Sequence, residues 1–175
     1  GQSHKLQLMK KASIHLLNLL TNNLFTLGIL GKPHALHGYL YLNHDIYFRQ
    51  FDLTGLHVFI NGNAYEIEDF KKHLKERYLI KLKGLNSISD IEIFRNKNIY
   101  ITSDQVTSYV AENLPWPGFF VDSKLNSQYF VKDYFYADKL IFLTLKDTEE
   151  IVVPYNTNFF SYENEELQLI NFDLA

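Results

Sequence analysis

The stretch from Tyr39 to Phe70 constrains the fold more than any other part of the chain. Phe51 and Leu53 are apolar in one alternating phase, and Leu56, Val58 and Ile60 in the other. Side chains on a strand alternate between faces. A one-residue slip across Thr54-Gly55 therefore sends the two halves to opposite faces unless a bulge absorbs it. A glycine at the slip is what a bulge or sharp coil favours. Asn61-Gly62 follows at once, a dipeptide suited to a type I′ hairpin, and Tyr65 and Ile67 resume the alternation. The stretch predicts a long, bent strand turning back through Asn61-Gly62, as the corners of small barrels require.

Around it the pattern is mostly extended. Lys5 to about Asn23 reads as an amphipathic helix, with Met9, Ala12, Leu16, Leu19, Leu20 and Leu24 on one stripe, stopped by Gly28 and Gly31-Lys32-Pro33. Asp69 to Arg77 suits a short helix, Phe70 and Leu74 being one turn apart. Ile80 and Leu82 alternate with Lys81 and Lys83, and Ile91 and Ile93 are expected to pair with Ile99 and Ile101 across Arg95 to Asn98. Val106 to Asn113 fits either a strand or a short helix. After the break at Leu114-Pro115-Trp116-Pro117-Gly118, Phe119 to Val121, Tyr129 to Tyr136 and Leu140 to Leu145 all read as extended. Leu140 to Leu145 forms a second hairpin with Ile151 to Val153, and Pro154 pushes that strand towards an edge. Glu163 to Asp173 is open between helix and strand.

These elements predict a mainly β chain with flanking helices: a small barrel with an N-terminal helix and a C-terminal extension, or alternatively an open α+β sheet. The domain reading is helix plus barrel over 1–113, and a strand-rich extension over 114–175 packed on the same domain. A first residue Gly1 reads as what tag cleavage leaves, so the chain is expected to be a fragment.

Little in the chain suggests catalysis. With no cysteine, disulfides, thiolate zinc sites and thiol nucleophiles are excluded, and a reducing compartment fits. No apolar run approaches the ~20 residues that cross a bilayer. All seven histidines fall within the first 73 residues, but His34-x-x-His37 with His44 lacks a completing carboxylate, so no metal is expected. Asp90 and Glu92, two apart on an expected strand, leave a metal-dependent nuclease as the third reading. There is no phosphate-binding glycine loop and no nucleophile elbow. The expectation is a binder, not an enzyme, needing no cofactor.

Charge supplies the positive clue. Six basic residues lie between Lys71 and Lys83 against one acid, Glu76, whereas from Lys146 onward seven acids face one lysine. Such a basic block reads as an anion-binding face or as a solvated helix face. Aromatic and basic residues also interleave on the expected strands, as sites for single-stranded nucleic acid do. The candidate nucleic-acid residues are Arg49, Lys81, Lys83, Arg95, Lys97 and Tyr100. Leu16, Leu20 and Leu24, on the helix stripe, are the candidate partner interface.

Tyr41-Leu42-Asn43-His44-Asp45-Ile46, followed by Phe48-Arg49, Phe51, Leu53, Gly55 and Val58, resembles the start of the OB-fold domain in the Stn subunit of the telomere-capping CST complex. Asp45 stands where that family usually has proline, and its Asp-rich turn is missing at Asp69-Phe70-Lys71. The resemblance spans at most residues 5 to 113. It implies an OB-fold-like barrel in a nuclear, telomerase-associated complex. The implied partners are a small Ten-like OB-fold subunit, the larger CST subunit and single-stranded DNA. The competing reading is an α+β protein-interaction adaptor without nucleic-acid binding.

Overall fold

The computed structural model describes residues 24–171. The expected helix over 5–23, with Leu16 and Leu20, lies outside the described residues. The chain divides into two compact units, Gly1–Gln105 and Val106–Ala175.

The first unit is a closed antiparallel barrel. Its strands are β1 (Leu24–His34), β2 (Tyr39–His44), β3 (His57–Ile60), β4 (Asn63–His73), β5 (Arg77–Leu82) and β6 (Asn98–Thr102), in the order β1-β2-β5-β4-β3-β6. β3, β4 and β5 form a meander, and β2 lies beside β5, which is a Greek-key arrangement. β6 closes the ring by pairing with both β1 and β3. Alternate residues fill the interior: Leu30, Leu40, Val58, Ile60, Ile67, Ile80, Leu82, Ile99 and Ile101 have no solvent exposure. A mainly β chain with a small barrel and few helices is therefore what the structure has. The barrel has six strands where an OB fold has five.

Local chemistry explains both the hairpin that was anticipated and the segments that differ. Asn61 and Gly62 take positive φ of 51° and 80°, and Ile60 pairs with Asn63. This is the two-residue turn expected of Asn-Gly. The phase slip at Thr54-Gly55 is a turn, not a bulge in one long strand. Ile46–Gln50 is a 3₁₀ helix, the amide of Leu56 donates to the carbonyl of Leu53 at 3.1 Å, and β3 starts only at His57. Leu53 and Leu56 are both buried because the chain folds between them.

Asp69 to Arg77 is not helical. It is the far end of β4 and the turn into β5, with Lys71 opposite Leu79 and His73 opposite Arg77. Leu74, expected to follow Phe70 on a helix stripe, is exposed at the turn with φ 55°. Glycines 28 and 31 sit within β1 and end no helix, and Leu24 begins that strand. Ile91 and Ile93 form no strand. Ile88–Ile91 is a short helix, α1, followed by a 3₁₀ turn over Glu92–Phe94. A reciprocal cap explains it: Ser87 accepts from the Asp90 amide and the Asp90 carboxylate accepts from the Ser87 amide.

A helix, α2 (Ser103–Ser108), leads into the second unit, where Val110–Ala111 (β7) pairs with Leu114–Pro115 (β8). Phe119 to Val121 is not extended, because Pro117–Phe120 is a 3₁₀ turn. A four-stranded sheet runs β12-β11-β10-β9, from Glu150–Pro154, Leu140–Lys146, Tyr129–Ala137 and Lys124–Leu125. Pro154 is on its edge strand, as a residue without an amide donor requires. The acidic end resolves as a hairpin of β13 (Phe160–Glu163) and β14 (Glu166–Leu169). Phe120, Val131, Leu143, Leu145, Val153, Phe160 and Leu167 share one apolar core in this unit.

Candidate functional site

The β4–β5 hairpin carries most of the basic block, and its register sets which cations meet which rings. β5 lies between β2 and β4, with Leu79 facing Tyr41 on one side and Lys71 on the other. Residues two apart share a face. Tyr39 and Tyr41 of β2, Arg77 of β5 and Lys71 and His73 of β4 therefore collect on the outer surface. The Arg77 guanidinium lies 4.0 Å from the centre of the Tyr41 ring, and the Lys71 ammonium 4.3 Å from that of Tyr39. Both are cation–π distances. His34, at the end of β1, shares a hydrogen bond of 2.9 Å with the Tyr41 hydroxyl and packs against His73 with centroids 4.5 Å apart. Partial burial, then the charges of His73, Arg77, Lys71 and Lys32, hold the His34 pKa below its usual value. The Tyr39 hydroxyl donates to the Asp69 carboxylate at 2.5 Å, a bond that pushes its pKa up to about 12.

A groove of about 380 Å³ opens beside this patch, between Tyr41, Asn43, Arg49, Arg77, Tyr78 and Asn96. Arg49 is held in place. Its Nε donates to the His44 carbonyl at 3.0 Å, its Nη2 donates to Asn43 Oδ1 at 2.7 Å, and its guanidinium lies 5.6 Å from the Tyr78 ring centre. Tyr78 stacks on Phe70 at 5.5 Å and meets the buried His44 edge-on.

The candidate residues read from the sequence fall into two groups. Lys81 pairs with Glu68, Lys83 with Glu66 at 3.5 Å, and Arg95 with Glu92 at 3.1 Å. Arg49 lines the groove. Lys97 is exposed in the turn before β6, and Tyr100 is half-buried on β6, opposite Thr26 and Phe59. Leu24 starts β1, opposite Thr102. Asp90 and Glu92 have structural partners: Asp90 accepts from the amides of Asn86 and Ser87, and Glu92 binds Arg95. No group of three metal-ligating side chains occurs among the described residues.

By contrast, among the described residues Lys71 and Arg77 have no carboxylate within ion-pair distance. Sequence reasoning missed them as a pair with the tyrosines. The basic block was visible, but its assignment to a helix separated Arg77 from Tyr41, which lies 36 positions earlier.

The comparisons with known proteins bear on this barrel directly. The profile of the family described as "RimM N-terminal domain" matches residues 25–106, which are the barrel and little else. The ribosome maturation factor RimM of Bacteroides thetaiotaomicron is 24% identical over 160 residues, covering 86% of this chain and 89% of that protein. A crystal structure from Pseudomonas aeruginosa, described as a 16S ribosomal RNA processing protein RimM, is 15% identical with a TM-score of 0.43. That match covers 84% of this chain and 96% of the other. The solution structure of the N-terminal domain of RimM from Thermus thermophilus is 23% identical with a TM-score of 0.37, over 44% of this chain and 86% of that domain.

The barrel profile and the Bacteroides alignment overturn the telomere expectation. The chain's similarity is to bacterial RimM, and not to the Stn subunit of a CST complex. The nuclear location, the Ten-like and larger CST partners and the telomeric single-stranded DNA, all implied by that resemblance, fall with it. The Tyr41 to Val58 segment that carried it runs from β2 through a 3₁₀ helix and a turn to the start of β3, and is not one long strand. The profile and the curated relative are both RimM sequences, and it is to these that this chain is similar.

Proposed function

We propose that this chain is a RimM-type ribosome maturation factor that acts by binding an assembling ribosomal particle and performs no catalysis itself. One observation carries the reading: the alignment with the Bacteroides factor runs through both units and takes in 89% of that protein. The barrel profile supports it independently over residues 25–106. The chemistry agrees with a contact function. On the outer face of the β4–β5 hairpin Arg77 and Lys71 rest on tyrosine rings, a pairing suited to holding a polyanionic assembly, and the two carboxylates that suggested a nuclease are used in a helix cap and an ion pair.

The test is replacement of RimM in Bacteroides thetaiotaomicron by this chain, followed by sucrose-gradient profiles of the ribosomal particles. The expected result is that the chain restores the ratio of free subunits to assembled ribosomes and sediments with a subunit-sized particle. A chain that neither restores the profile nor leaves the top of the gradient overturns the reading.

A further inference from the structure

We propose that the outer face of the β4–β5 hairpin and the groove beside it bind an unpaired stretch of RNA. The Tyr41–Arg77 pair stacks on bases, and Arg77 and Lys71 meet phosphates. The inference names the ligand class of the surface on which the ribosome-maturation reading rests, and its test separates the two.

Charge pairing divides the barrel's cations into two sets, and the β4–β5 hairpin carries members of both. Lys81, Lys83 and Arg95 each have a glutamate, whereas Lys71 and Arg77 point their charge at tyrosine rings and remain exposed. A carboxylate-paired lysine must lose its partner to take a phosphate. A cation resting on a ring keeps its hydrogen-bond donors available. The depressed pKa of His34 reports the resulting positive field, since His73, Arg77, Lys71 and Lys32 all add to the effect of burial there.

The rings decide between polyanions. An acidic protein segment offers carboxylates but no flat apolar faces, whereas a nucleotide offers both a phosphate and a base. Guanidinium planes and tyrosines accept bases by stacking, and base–aromatic stacking needs bases outside a duplex. The groove adds amides. Asn43 Oδ1 is taken by Arg49, which leaves the Asn43 Nδ2 to donate, and Asn96 also lines the groove. A cavity of about 380 Å³, lined by rings, guanidinium groups, amides and apolar side chains together with one acid, Glu76, suits a single splayed nucleotide.

The experiment uses the full chain with fluorescein-labelled ten-nucleotide oligouridine and oligoadenosine RNA, read by fluorescence anisotropy at 50 and 200 mM KCl. With about two phosphate contacts, affinity is expected to fall about sevenfold between the two salt concentrations. Arg77→Ala and Tyr41→Leu are each expected to weaken binding about tenfold, and Lys71→Glu as much or more. Arg77→Lys, which keeps the charge but not the plane, falls in between. Lys132→Gln, in the second unit, changes nothing beyond twofold. Melting curves matching those of the original chain confirm that each variant is folded.

RNA affinity unchanged in Arg77→Ala, Tyr41→Leu and Lys71→Glu overturns the proposal. So does competition by oligoaspartate as effective as that by unlabelled RNA, which marks an acidic-protein surface instead. A chain that sediments with ribosomal particles yet binds neither oligonucleotide removes this site and leaves the maturation reading standing. RNA binding lost in the three variants, together with wild-type RNA binding, supports the proposal whatever the gradients show.

Discussion

Inside the barrel His44 meets the edge of Tyr78, with ring centroids 4.9 Å apart, and both of its buried nitrogens lack a hydrogen-bond partner among the described residues. Burial, with the Arg49 charge behind it, lowers the His44 pKa to about 4, against weaker pulls from the backbone at Leu42 and Phe48. The unfolded chain binds a proton near pH 6.5 and the folded one only near pH 4, so between those values the unfolded state holds more protons. Stability from this group is thus fully present above pH 6.5 and drains away as pH falls towards 4, by about 3 kcal/mol at most. Urea unfolding across pH 4 to 7 measures it. His44→Phe, which keeps the ring contacts and removes the titration, is expected to flatten that part of the profile. An equal slope in the variant would show that other groups cause it.

Gly28 fixes how closely β1 and β2 approach. A Cβ built there would lie 2.4 Å from the Asn43 carbonyl oxygen and 2.6 Å from the His44 Cα, both main-chain atoms that yield only if the strand moves. Gly31, three residues on in the same strand, faces only the Tyr41 Cβ at 3.2 Å and its carbonyl oxygen at 3.6 Å. Gly28→Ala is therefore expected to cost about 2–4 kcal/mol by forced backbone movement, and Gly31→Ala about 1 kcal/mol or less. Chemical denaturation of the two variants side by side decides it, and equal losses would contradict the close approach.

Sequence legibility followed the range of the forces. The Asn61-Gly62 hairpin was readable because a type I′ turn is specified by two adjacent residues, and the Leu140–Val153 hairpin because its strands alternate around a short polar loop. The Thr54-Gly55 slip was readable only as an irregularity, since a turn and a bulge disturb period two alike. Asp69 to Arg77 was misread because Phe70 and Leu74 have helical spacing locally, while the partners that make them a strand and a turn come from β5. The cap at Ser87-Ile88-Ser89-Asp90 was a local signal that pointed to α1 and was available. The charge state of the candidate site was not. Lys81 and Lys83 are neutralised by Glu68 and Glu66, and Arg77 meets Tyr41, through pairings that exist only once the barrel closes.

In the second unit a single side chain ties β14 to the loop after β9. Asn126 Nδ2 donates to the Leu169 carbonyl at 2.8 Å, and the Leu169 amide donates to Asn126 Oδ1 at 3.0 Å. Asn126 also holds φ 55°, a conformation that asparagine tolerates better than alanine. Asn126→Ala is expected to cost about 2 kcal/mol, from two lost hydrogen bonds and the backbone strain. Asn126→Asp keeps the acceptor and loses the donor, so it falls between. Amide hydrogen exchange at Leu169 is the direct reading: its protection should drop in the alanine variant and survive in the aspartate one.

Burial and charge can be weighed separately on the β10–β11–β12 sheet. Leu143, on β11, has no solvent exposure and packs in the apolar core with Val131, Leu145 and Val153. Lys132 and Glu150 form an ion pair on the same sheet, and the Glu150 carboxyl is held below its usual pKa chiefly by its hydrogen bond from Lys132. Both partners are about half exposed, so water and salt screen the pair. Leu143→Ala removes apolar contacts that nothing replaces and is expected to cost about 2–5 kcal/mol. Lys132→Met removes the charge, keeps the stem, and is expected to cost far less than Leu143→Ala, with the loss vanishing in 0.5 M salt. Denaturant midpoints for the two variants at low and high salt measure both effects. A loss at Lys132 as large as that at Leu143, and screened by salt, would mean that charge, and not the apolar core, holds this sheet together.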